Sequence, residues 1–106
     1  MHDITVQIVR FVDESQPRWV ECELVDADAR RHLIIDKVPI FTLADLRAES
    51  KYPVPGIVRC EVLRKYKDES GRELVHVSTA QPWGIESTEG LSEFILPARL
   101  VTPVQE

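Results

Sequence analysis

Three histidines, His2, His32 and His76, and two cysteines, Cys22 and Cys60, are the side chains through which this chain could bind a transition metal. No two of them stand at a ligand spacing such as C-x-x-C or H-x-x-x-H, so the sequence assigns no metal site. Asp26 and Asp28 form a D-x-D pair, but no glycine and no terminal glutamate follow at calcium-loop spacing, and they read as turn residues. Ser78 and Thr79 lie close to His76 without the G-x-S-x-G elbow that strains and exposes a nucleophile. Cys60 lies beside Glu61 in a strand-like run, a setting that predicts an inert thiol. The four glycines, Gly56, Gly71, Gly84 and Gly90, fall singly near turns and build no phosphate-cradling loop. No catalytic set and no cofactor motif emerges.

What stands out instead is Pro82-Trp83-Gly84-Ile85-Glu86-Ser87. It joins a fixed φ, a large aromatic, a residue free to take positive φ and a carboxylate. Such a knot either turns a sharp corner or presents a contact surface. Trp83 and Glu86 are its candidate contact residues, and Arg59 and His76, on neighbouring strands, are the side chains that could join them. Tryptophan and arginine are the types enriched in interface hot spots.

The net charge of −5 disfavours general nucleic-acid binding, which needs a basic face to neutralise phosphates. Arg59, Arg64, Lys65 and Lys67, with Tyr66, imitate a face for single strands, but Glu61, Asp68 and Glu69 interrupt it. No window approaches the apolar length of a membrane span. Met1-His2-Asp3-Ile4-Thr5 lacks the basic and apolar regions of a signal peptide, so a cytoplasmic location is expected.

These residues must be positioned by strands. Ile4, Val6 and Ile8 alternate with Thr5 and Gln7 over residues 3–12, and the adjacent apolar pair Ile8-Val9 reads as a bulge or as the crossing of a barrel rim. Residues 18–25 carry Val20, Cys22 and Leu24 on one face, and 30–38 follow as their hairpin partner. Thr42–Glu49 reads as a short helix capped by Thr42 and packed through Leu43 and Leu46. Pro55-Gly56 reads as a type II turn before a fourth strand over 57–66. Residues 73–80 and 91–96 make two more strands, and 98–102 a short edge segment.

The expected fold is all-β and mainly antiparallel, one domain over 1–106: a small six-stranded barrel or a compact two-layer β fold with one short helix. The barrel is preferred because closure removes edges.

Trp19-Val20-Glu21-Cys22, Lys37-Val38-Pro39 and Pro82-Trp83-Gly84-Ile85-Glu86-Ser87 together resemble a group of small, uncharacterised bacterial β-rich proteins. The resemblance covers most of the chain and implies a fold, with no catalytic or cofactor residues. A looser likeness to the small barrels of translation-factor and SH3-type domains is one of fold alone.

The leading expectation is therefore a non-enzymatic module that binds another protein, as an acidic partner or inhibitor of a basic protein in the manner of an immunity-type protein. A homodimer paired through the edge of residues 91–101 is compatible with it. The alternative, from a different class, is a small-molecule- or nucleotide-binding barrel, enzymatic or not, with Trp83, Glu86, Arg59 and His76 around one mouth.

Overall fold

The computed structural model describes residues 1–104. The chain forms β1 (His2–Asp13), β2 (Trp19–Val25), β3 (Arg31–Lys37), α1 (Val38–Phe41), β4 (Val54–Lys67), β5 (Glu73–Ser78), β6 (Glu93–Pro97) and β7 (Val101–Pro103), with a 3-10 turn at Ala98–Leu100. The strands pair antiparallel in the order β3-β2-β1-β4-β5-β6, and β7 adds to β1. The result is one curled, mainly antiparallel sheet, a half-barrel.

Two hydrogen bonds tie its ends in place of a continuous ladder. Ala27 N–H donates to the Ile95 carbonyl at 2.9 Å, and Thr88 N–H donates to the Leu33 carbonyl at 2.8 Å. Across the same seam the His32 ring meets Phe94 edge-on, centroids 5.0 Å apart.

The concave face is the core. Period two puts Ile4, Val6 and Ile8 of β1 inside with Val20, Cys22 and Leu24 of β2, as the alternation predicts. Val58 and Cys60 of β4 join Val75 and Val77 of β5 there. The register of β1 against β2 shifts between Ile8 and Arg10, the expected bulge.

Three expectations are corrected. The helix is Val38–Phe41, and Thr42–Glu49 holds none. Pro39 does stop β3, but it also sits in the first turn of α1, where a missing N–H is no loss. The Thr42 hydroxyl accepts the Ala44 N–H at 3.1 Å, a local turn in place of a helix cap. Leu46 is buried as expected, whereas Leu43 is fully exposed.

Second, Pro55-Gly56 makes no turn but lies within β4, paired with Gln7 and Val6. Because β5 begins to pair only at Glu61, Pro55 withholds no ladder bond on that side. A Cβ on Gly56 would stand 2.9 Å from Ile8 Cδ1 and 3.2 Å from the Phe41 carbonyl, so α1 packs onto the gap that this glycine leaves.

Third, the last strands are shorter than read: β5 stops at Ser78 and β6 starts at Glu93. The tail does return as an edge segment, with Val101–Pro103 pairing Ile4–His2.

Candidate outer-face site at Arg59 and Trp83

The corner after β5 is built by a buried threonine. Thr79 Oγ1 donates to the Ile85 carbonyl at 2.7 Å, and Ile85 N–H returns a bond to the Thr79 carbonyl at 3.0 Å. Gly84, at φ 63°, donates to the Ala80 carbonyl and closes the inner turn in the left-handed region that a Cβ disfavours. Ile85 and Ser87 go into the interior, and Trp83 and Glu86 are left exposed. The knot is thus both a corner and a display.

Trp83 is 46% exposed and rests on the outer face of β4, where the Arg59 guanidinium lies 5.4 Å from its ring centroid. Arg59 faces outward because its neighbours Val58 and Cys60 face the core. Its Nε donates to Asp3 Oδ1 at 3.0 Å, across the β1–β4 pair in which Asp3 opposes Arg59. A cation over an exposed indole is worth about 0.5–1 kcal/mol, enough to bias the ring's orientation. Asp3, Arg59 and Trp83 therefore form a chain from the first strand to the exposed ring. Asp3 was not singled out from sequence, since only the strand register brings it to Arg59.

The other two candidates lie elsewhere. His76 Nε2 is 2.8 Å from Glu93 Oε1, a cross-strand contact between β5 and β6. With Glu61 opposite Ser78, Arg59 falls level with residue 80, four residues from His76. At roughly 3.3 Å per residue that is about 13 Å along the strand. Glu86 is exposed on the loop and makes no side-chain hydrogen bond among the described residues. The structure joins Arg59 to Trp83 and leaves His76 outside that contact, so these four do not surround one mouth. The cleft of about 400 Å³ found at the far end of β4 is lined by none of them.

No three His, Cys, Asp or Glu side chains converge on a metal position among the described residues. The two thiols are buried and free. Burial, with Glu21 and Asp36 nearby, pushes the Cys22 thiol up to about 12; burial and Asp3 push Cys60 up to about 11. Neither is a thiolate near neutrality. Both cysteines are expected to stay unmodified by a disulfide reagent at pH 8 in the folded chain. They should react only at the rate of unfolding, and fast labelling of either one contradicts this.

The edge once expected to support a dimer, residues 91–101, is partly engaged. The Ile95 carbonyl accepts Ala27 N–H, and Val101 pairs with Ile4 of β1.

Comparison with protein-family models, with curated proteins and with solved structures returns no match.

Proposed function

We propose that this protein is a non-enzymatic binding module for another protein and that Trp83 is its anchor. The observation that carries the reading is an exposed indole held in place by Arg59, which Asp3 fixes in turn. An aromatic whose orientation is set before binding loses less entropy on complex formation, which is how a few residues come to dominate an interface. The net charge of −5 steers encounter with a basic partner, so the partner is read as a basic protein. Among the described residues no helix is long and apolar enough to cross a membrane, and the reading invokes none.

Affinity capture with wild-type and Trp83→Ala chains as baits tests it. The protein retained by the wild type is expected to bind Trp83→Ala about thirtyfold more weakly, the loss that corresponds to about 2 kcal/mol at a hot spot. Melting temperature should hardly move, because substitutions at an exposed site usually change stability by no more than about 0.5 kcal/mol. Equal retention by the two baits contradicts the reading.

A further inference from the structure

β4 is longer than either neighbour, and its two halves have different partners. Its residues Val54–Cys60 pair with β1, from Ile8↔Val54 to His2↔Cys60. Its residues Glu61–Lys67 pair with β5 on the opposite side. Alternate peptide groups of a strand address alternate neighbours. Over residues 61–67, those that point away from β5 therefore meet no backbone partner among the described residues. A slot one strand wide continues the line of β1 beyond its first residue.

The slot is not flat surface. The cleft of about 400 Å³ lies along it, lined by His2, Lys65, Lys67, Leu74, Val101 and Pro103 among others. Val101 and Pro103 of β7 are apolar residues of its lining that do not belong to β5. The slot offers main-chain hydrogen bonds on one side and apolar side chains at its rim, the two elements of recognition by strand addition.

Charge selects what enters. Arg64, Lys65 and Lys67 stand on this half of β4, against Glu61 at its start and Glu73 opposite Lys67. Neither Lys65 nor Lys67 makes an ion pair among the described residues, and Arg64 stacks on Tyr66 at 4.5 Å. The His2 imidazole is held below its ordinary pKa by burial and by the Lys65 ammonium, so near neutrality it adds no repulsion of its own. A second copy paired across a two-fold axis within this segment would bring the basic residues Arg64, Lys65 and Lys67 of the two copies close together, and like charges directly opposite destabilise a strand pair. Edge lysines deter that pairing.

We infer that the edge of β4 from Glu61 to Lys67 accepts an extended, acidic segment of a partner protein as an added strand. This surface is distinct from the Trp83 anchor and does not depend on it.

The test uses the intact chain and three synthetic octapeptides with blocked ends. One alternates valine with glutamate, one valine with lysine, and one is the glutamate peptide with a central proline. Amide exchange is followed by NMR. The glutamate peptide is expected to slow exchange of alternate amides in 61–67 by about tenfold or more at saturation, because pairing converts an open edge into a protected one. The lysine and proline peptides should not. Lys65→Glu combined with Lys67→Glu should weaken the glutamate peptide by about tenfold or more and favour the lysine peptide. Trp83→Ala should leave peptide binding unchanged, so this inference and the anchor can fail separately. The inference is overturned if millimolar glutamate peptide slows no amide there, or if the two charged peptides act alike. It is overturned equally if these amides are already slow in the free chain, or become slow with chain concentration alone, which would mean self-pairing.

Discussion

Asp26→Ala is expected to cost the fold about 2–4 kcal/mol, because one carboxylate serves both a turn and a buried imidazole. Asp26 Oδ1 accepts the N–H groups of Asp28 at 2.8 Å and Arg30 at 3.0 Å, and Oδ2 stands 2.7 Å from His32 Nε2. His32 is only 4% exposed, and its Nδ1 already has no hydrogen-bond partner. Removing Asp26 would leave both ring nitrogens unpaired in the interior. It would also loosen the hairpin whose Ala27 N–H ties β6 to the other end of the sheet. Burial raises the Asp26 pKa, but the hydrogen bonds from His32, Arg30 and Asp28 outweigh it and hold the value below the ordinary one. A lowered folded-state value means that the ionised form stabilises the fold above the ordinary carboxylate pKa. That contribution is lost as pH falls through the folded value. The gap in urea-unfolding stability between wild type and variant should therefore narrow as pH falls below about pH 4, by the part that the ionised carboxylate contributes. A gap unchanged down to the lowest pH would show that the carboxylate's charge contributes nothing.

Phe41→Ala is expected to be at least as damaging, at about 3–5 kcal/mol. Phe41 is among the largest fully buried side chains and belongs to the main core cluster. It ends a helix of four residues, far too short to hold itself together. That helix stays in place through burial of Val38 and Phe41 and its seat on Gly56. Without the ring, a cavity opens where α1, β1 and β4 meet. Denaturant unfolding followed by tryptophan fluorescence measures the loss. A cost below about 1 kcal/mol would mean that the site collapses freely and that α1 is not anchored as described.

The strands were legible where one face is buried and the other is not. Ile4, Val6 and Ile8, or Val20, Cys22 and Leu24, declare their phase because solvent and core demand opposite side chains at alternate positions. The role of the buried Thr79 as tie of the corner did not show, because its partners Ile85 and Ser92 are brought to it only by the fold. The helix was misplaced for a physical reason. Four residues span little more than one turn, so Val38–Phe41 displays no 3.6-residue period, whereas Thr42 and Asp45 look like a cap and a first turn. Pro55-Gly56 has the composition of a turn. Its strand conformation depends on where β5 begins and on the proximity of Ile8 and Phe41, both set by distant parts of the chain.

The candidate site divides in the same way. Trp83 could be chosen from its local company of Pro82 and Gly84. Arg59 could be placed outward by phase, but its contact with Trp83 and its tether to Asp3 depend on strand register and on the corner. His76 has the right type and the right face but is too far along β5, because alternation fixes a side and not a position. The slot beside β4 left no local signal, since an edge is defined by the absence of a neighbour.

The most direct measurement is the hydrogen-exchange footprint of the captured partner on this protein. Slowed exchange is predicted around Arg59–Glu61 and through the corner at Gln81–Glu86, and Trp83→Ala should abolish it at the same partner concentration. A saturated complex that leaves both segments unchanged, with protection confined to other strands, would contradict the anchor.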